Sequence, residues 1–363
     1  MKKWSKASGT ESDAFAERGK RQIKGRKALR RTRNVSLLGF LALCTAPGVA
    51  NAQSMVTIYG VVDVAIAKYD GKNTVTEGNG STSRLGFIGS EDLGNGLKAI
   101  FQLETQINPN NGTQYNPTSF WSGRSTVGLE GGFGRVTVGR EVNPSHYVES
   151  SIDPFTQDGM AGGYGARGGI SQANGAPGAI DTVRTNNSIN YYVSGAGLTF
   201  RAQTAVQDGV NTYSNRPLAA SLIYKNGPFQ IGASYLNPSL PNDHWSYIGT
   251  VYDLNFVKLS AGFGTGSNTF KQSIKNMMVG ANIPLGATSG IRSTFSLTRS
   301  EGTTIQAKTA LGYYYSLSKQ TVVYTDAVYD SKAGAYTYTT KGWTATGQTL
   351  GKLGYEMGLK HLF

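Results

Sequence analysis

Three histidines (His146, His244 and His361) and one cysteine (Cys44) are the only imidazole and thiol groups in a chain of 363 residues. No two histidines have metal-ligand spacing, and no Gly-x-Ser-x-Gly elbow occurs, so no local motif supports a metal or serine-nucleophile site. Gly163-Tyr164-Gly165-Ala166-Arg167-Gly168 matches the spacing of a dinucleotide-binding turn, but Gly169-Ile170-Ser171-Gln172-Ala173-Asn174-Gly175 follows instead of an amphipathic helix. The match is a loop coincidence, and no cofactor or metal is expected. Charge is more informative. Arg84, Arg124, Arg184 and Lys308 lie in segments of strict two-residue alternation, as does Glu104, while Asp153 and Asp158 lie in a long Gly-rich connection. Fixed cations facing carboxylates across water would set up a transverse field that orients dipolar solutes and sorts ions. Arginine suits the basic side because its charge persists when several crowd together.

The overall charge must be located before it is interpreted. The chain carries +13, but residues 1–52 hold 12 Lys+Arg against 3 Asp+Glu, which leaves only +4 for residues 53–363. That balance offers no basic stripe, so nucleic acid is not an expected partner. The N-terminal segment reads as a secretory leader: a basic stretch through Arg33, an apolar run over 35–46 and Ala50-Asn51-Ala52 as a small-x-small cleavage site before Gln53. The basic region is unusually long, which suggests that translation starts downstream of Met1. A run of 12 residues is short of the ~20 that a membrane-spanning helix requires. A lipoprotein alternative would use Cys44, but bulky Leu43 precedes it where a small residue is expected. With Cys44 in the leader, residues 53–363 have no cysteine, which excludes a disulfide scaffold, a thiol nucleophile and a Cys-based zinc site.

The elements that would position the charged residues are strands. Gly is abundant (48 residues) but scattered, which excludes collagen, and 20 Tyr with 14 Phe fit β structure better than a coiled coil. From Val56, the even positions Ile58, Gly60, Val62, Val64 and Ile66 are apolar or small, while the odd ones include Thr57, Tyr59 and Asp63. Leu85 and Phe87 alternate with Arg84 and Gly86, and a turn at Asp92-Leu93-Gly94-Asn95-Gly96 leads to a strand with Leu97, Ala99, Phe101 and Leu103 on one side. Lys98, Gln102 and Glu104 lie on the other. The pattern recurs near 121–131, 135–141, 184–194, 198–207, 216–224, 229–236, 244–252, 256–263, 276–283, 291–299, 304–316, 321–329 and 352–363. With the first three, that makes sixteen strands.

Connections alternate between short turns, such as 131–134 and 194–197, and longer polar loops, such as 108–120 and 330–351. An even number of alternating strands joined in this way predicts a transmembrane antiparallel β-barrel of the outer membrane. Closure pairs every backbone group in hydrocarbon, and a sixteen-stranded barrel is wide enough to hold water and polar side chains. Strand parity then turns Arg84, Glu104, Arg124 and Arg184 inward, and Lys308, alternating with Ile305, Ala307 and Leu311, is a further inward candidate. Tyr355 and Phe363 on the last strand suit membrane interfaces.

Val56-Thr57-Ile58-Tyr59-Gly60-Val61-Val62-Asp63, followed by Ser83-Arg84-Leu85-Gly86-Phe87-Ile88-Gly89-Ser90-Glu91-Asp92-Leu93-Gly94-Asn95-Gly96-Leu97-Lys98-Ala99, closely resembles the general diffusion porins of Gram-negative, especially beta-proteobacterial, outer membranes. The likeness extends through Gly123-Arg124, Val127-Gly128-Leu129, residues 134–140, Asn187-Ser188-Ile189 and the terminal Phe363. It implies a homotrimer and a third external loop, here about 141–183, folded into the lumen. It also implies a terminal phenylalanine read by the barrel-assembly machinery. The basic wall, on this resemblance, is Arg84, Arg124, Arg184 and Lys308, facing Glu104, Asp153 and Asp158, with Glu149 and Asp181 as further loop acids. The expected partners are outer-membrane lipids and small hydrophilic solutes, with mild anion preference. Two other classes are weighed beside it. A barrel enzyme of lipase or protease type would assemble Ser and His from separate loops. A surface adhesin without a pore would have a dry interior, against which Arg84, Lys98, Gln102, Glu104, Arg124 and Lys308 argue.

Overall fold

The computed structural model describes residues 55–69, 76–78, 81–162, 183–206, 217–238, 243–267, 271–332, 338–340, 343–345 and 352–363. The leader at 1–52, Asp181 and residues 163–182 of the long connection lie outside the described residues. Sixteen long strands form the wall: β1 (Met55–Tyr69), β2 (Arg84–Gly94), β3 (Leu97–Asn108), β4 (Arg124–Gly131), β5 (Gly134–Val142), β6 (Arg184–Gly195), β7 (Leu198–Ala205) and β8 (Leu218–Asn226). These are followed by β9 (Phe229–Asn237), β10 (His244–Asp253), β11 (Lys258–Ser267), β12 (Ser273–Pro284), β13 (Ser289–Ser300), β14 (Thr303–Ser316), β15 (Thr321–Asp330) and β16 (Leu353–Leu362). Among the described residues one helix, α1 (Pro144–Ile152), follows β5.

Each strand pairs antiparallel with the next, and β1 closes the sheet by pairing with two partners. Its first half runs against β2, from Met55 opposite Ser90 to Val61 opposite Arg84. Its second half runs against β16, from Val61 opposite Leu362 to Tyr69 opposite Gly354. The seam ends at Phe363, whose backbone N–H donates to Gly60 O and whose carbonyl accepts from Gly60 N–H, both at 3.1 Å. A Cβ at position 60 would strike the Phe363 ring, so glycine there lets the last aromatic lie across the seam.

The two faces follow the parity of the sequence. On β1, Val56, Ile58, Val62, Val64 and Ile66 are exposed, whereas Tyr59 and Asp63 are buried, Asp63 completely. Ile248, Phe263, Met277, Val279, Phe295 and Leu311 continue the exposed apolar exterior around the barrel. An apolar outside with Asp63, Glu104, Arg201, Asn276, Lys308, Asp326 and Glu356 buried inside inverts a soluble fold, as a hydrocarbon surrounding requires.

Several local features depart from the simple pattern, among them a register shift between Asp92 and Gly94 on β2. The connection between β13 and β14 lies at the long-loop end but is a two-residue turn, Glu301 (φ 48°) and Gly302 (φ 78°), whose left-handed twist suits a tight hairpin. A bulge on β14 pairs Thr298 with Gln306 but Arg299 with Thr304, and it turns Ile305 into the buried set instead of outward as strict alternation predicts. On β6, Gly139 pairs Ser188 while Glu141 pairs Thr185, so one extra residue, with Asn187 at φ 52°, interrupts the parity used to place Arg184.

Because Val279 lies mid-strand on the exposed face, Val279→Arg is expected to destabilise the barrel in lipid by about 2–4 kcal/mol. Thr199→Arg, on the inward parity of β7, is expected to cost less than about 1 kcal/mol. Reversible urea unfolding of both variants in lipid vesicles measures the difference.

Candidate functional site

Three of the four basic residues expected on the wall, Arg84 on β2, Arg124 on β4 and Arg184 on β6, lie within one stretch of the barrel, whereas Lys308, on β14, stands apart from them against the inward segment. Glu104 on β3 stands opposite Arg124 on β4, and Arg84 on β2 stands opposite Gln106 on β3. Glu104 Oε2 accepts a 2.9 Å bond from Tyr59 Oη and lies 3.7 Å from Arg84 Nε. Gln102 Nε2 donates to the same tyrosine oxygen at 2.6 Å, while its Oε1 accepts from Arg124 at 3.1 Å. Arg124 Nε lies 3.1 Å from Glu141 Oε1, and another Arg124 nitrogen donates to Tyr147 Oη at 2.5 Å. Arg184 Nε donates to the Gly123 carbonyl at 2.8 Å. Gly123 has no Cβ because the Glu104 carboxylate occupies that space.

Two more arginines extend this wall. Arg140 donates to Ser122 O at 2.8 Å and to Asn186 Oδ1 at 2.5 Å. The Arg201 guanidinium lies 4.1 Å from the Tyr147 ring centre and 5.0 Å from that of Tyr192, within cation–π range. Arg201 was legible by parity, since Phe200 beside it is outward. Arg140 was not, because it sits at the bulge, between Gly139 and Glu141.

Helix α1 and residues 153–162 run along the remaining inner wall. The helix begins at Asn143, whose Oδ1 accepts from His146 N–H, and its base is closed by Asn143 N–H donating to Val183 O at 2.9 Å. Val148 and Ile152 enter an apolar cluster with Leu236, Trp245, Tyr247, Ile274 and Met278. The strands beneath are cut back to glycine where the segment presses. A Cβ at Gly232 would meet Val148, at Gly249 Ile152, at Gly280 Pro154 and at Gly312 Phe155. Further along, Arg292 stacks 4.7 Å from the Phe155 ring, Lys308 Nζ donates to Gly162 O at 2.6 Å, and Met160 N–H donates to Glu356 Oε1 at 3.2 Å. Among the described residues, then, the segment covers the inner faces of β7 to β16 and reaches the β2–β6 wall through Tyr147.

The acids of this segment have different surroundings. Glu149 is buried, accepting from Ser145 Oγ, Trp245 Nε1 and Gln157 Nε2 at 2.9–3.0 Å. Asp153 is also buried, and its two oxygens accept from Phe155 N–H and Gln157 N–H, each at 2.9 Å. These bonds hold a turn in which Thr156 (φ 58°) and Gln157 (φ 63°) are both left-handed, a costly conformation for two consecutive residues with side chains. Thr156 is exposed, and Gln157 and Asp158 are half-exposed. Of these three acids Asp158 is thus the most exposed, Asp153 braces the turn, and Lys308 anchors the segment to β14.

Sixteen closed strands, an apolar exterior and a charged interior lined by an inward segment define a water-filled outer-membrane channel of the porin class. The comparisons agree. A family model described as Gram-negative porin matches residues 39–335, and the chain belongs to that family. Outer membrane porin protein 32 of Delftia acidovorans is 32% identical over 358 residues, covering 89% of this chain and 98% of the relative. An outer membrane porin protein of Bordetella pertussis is 30% identical, covering 80% and 92%. Among solved structures, an anion-selective porin from Comamonas acidovorans superposes with a TM-score of 0.68 at 26% identity, covering 86% of this chain and all of that one. The chain is thus a porin of the bacterial outer membrane, a passive diffusion channel.

Since the Cβ of any residue at 249 would lie 2.8 Å from Ile152 Cγ1, Gly249→Leu is expected to push α1 off the wall. The overpacking cost is about 1–3 kcal/mol. Thermal unfolding in detergent should show the loss, and single-channel recordings should show an altered conductance.

Proposed function

We propose that the channel is narrowed between the arginine wall of β2–β6 and the segment 141–183, and that it passes small hydrophilic solutes with a mild preference for anions. One observation carries the preference. Arg84, Arg124 and Arg184 share a single network whose carboxylates are Glu104 and Glu141, with Arg140 and Arg201 beside it. Cations outnumber acids there even after Asp158 is added. The related Comamonas acidovorans structure, described as anion-selective, supports the same sign. An apolar solute would have to displace water oriented by these charges, so polar solutes are favoured. In this arrangement Asp158 supplies the acidic side, while Asp153 and Lys308 shape and tether the inward segment.

A homotrimer is part of the proposal, supported by a structural neighbour described as a trimer form, OmpT of Vibrio cholerae, although at 13% identity it shares the fold alone. Further parts are removal of residues 1–52 on export, lipid around the apolar belt and recognition of Phe363 by the assembly machinery. Catalysis has no place in it. His146 lies on α1, His244 beside Ser267 at an outward rim, and His361 against Thr321 near the seam, so the three imidazoles are apart.

Reversal potentials across planar bilayers in a KCl gradient should have the sign of anion preference. The preference should weaken at molar salt, where the screening length falls to roughly 3 Å. Arg84→Ala and Arg124→Ala should each shift the potential toward cations. Cation preference in the unmodified chain, or two silent substitutions, would contradict the proposed constriction.

A further inference from the structure

The outer wall carries a basic pair that the channel does not use. At the long-loop end, Lys275 on β12 stands directly opposite Arg299 on β13, and both side chains are exposed on the outward face. Neither makes a hydrogen bond or ion pair among the described residues. Glu301, two residues on, is engaged by the Ser273 backbone N–H. The outward row continues to Thr265 on β11 and Thr304 on β14, so two hydroxyls flank the two cations. The next outward row is wholly apolar: Phe263, Met277, Leu297 and Ala307 stand opposite one another across the same four strands.

Height on the barrel fixes what this pair meets. Below Lys275, the outward positions of β12 and its turn are Met277, Val279, Ala281, Ile283 and Leu285. Ten residues of strand rise ~33 Å along their own direction, or ~25 Å along the barrel axis at a tilt of ~40°, which is the height of the apolar band. Lys275 and Arg299 therefore sit at the far edge of that band, at headgroup level in the leaflet on the long-loop, external side. Like charges directly opposite on adjacent strands repel, and an anion between them removes the penalty. Arginine offers a planar fork for a phosphate and lysine a point charge beside it.

We propose that Lys275 and Arg299, flanked by Thr265 and Thr304, clamp the phosphate of an outer-leaflet lipid. The inference rests on the membrane-barrel fold and is independent of ion preference. The test is native mass spectrometry of the full-length, folded chain in detergent after incubation with a bisphosphorylated lipid A or with the same lipid stripped of phosphate. The unmodified chain should retain the phosphorylated lipid and lose the stripped one. Lys275→Gln combined with Arg299→Gln should lower retention roughly 10- to 30-fold, while Lys275→Arg should keep it. Equal retention of both lipids, or an unchanged double variant, would overturn the clamp. So would displacement of the lipid by millimolar inorganic phosphate, which would mark a plain anion site. Conductance and selectivity of the double variant should match the unmodified chain, so a failure of the pore proposal would show separately.

Discussion

In hydrocarbon no water is available to a peptide group, and each unpaired N–H or C=O costs several kcal/mol. Among the described residues, the chain meets this constraint by pairing every long strand with a neighbour on each side. β1 serves two neighbours in turn, β2 along its first half and β16 along its second, and the backbone of Phe363 supplies the last two bonds to Gly60. Once the sheet is closed, the two-residue period of each strand has one consequence throughout. One face meets lipid and the other encloses a lumen, so both the apolar exterior and the arginine wall follow from the same backbone requirement.

The lumen is not uniformly wet. Along its β7–β16 side, glycines and an apolar cluster set among buried polar groups receive α1 and residues 153–162, with Val148, Ile152, Pro154 and Phe155 seated at Gly232, Gly249, Gly280 and Gly312. Its β2–β6 side remains polar, with guanidinium groups held by Gln102, Glu104, Glu141 and Tyr147. Locking matters for a filter, because a charge held on a packed strand keeps its direction as solutes pass. The left-handed turn at Thr156 and Gln157, braced by Asp153, fixes the loop's open edge by the same logic.

The strands were legible because alternation is a property of one residue and its neighbours, and Arg84, Glu104 and Arg124 could be assigned a face from Leu85, Leu103 and Val127 alone. Sequence reasoning weakened where one extra residue breaks the period. Ile305 faces the interior because of a bulge, and Arg184 joins the wall although the bulge at Asn187 breaks the parity argument that pointed to it. The seating of α1 and residues 153–162 was not legible as such. Glycine within a strand marks a close approach of something, but nothing local to Gly249 names Ile152, nearly a hundred residues earlier, as its occupant. Nor could sequence separate the acids of the loop. Glu149 and Asp153 are buried against donors inside the fold, while Asp158 is partly exposed, and that difference is set by packing.

The central claim is that alternate residues of every strand meet lipid and water. Because residues 53–363 contain no cysteine, single cysteines can be placed on either parity and probed in liposomes with a charged, membrane-impermeant thiol reagent and with a lipid-soluble one. Val64→Cys, Ile248→Cys and Val279→Cys should react with the lipid-soluble reagent alone. Arg84→Cys, Gln102→Cys and Arg124→Cys should be modified by the charged reagent, with conductance changing as each reacts. Charged-reagent labelling at 64, 248 and 279, with protection at 84, 102 and 124, would contradict the account.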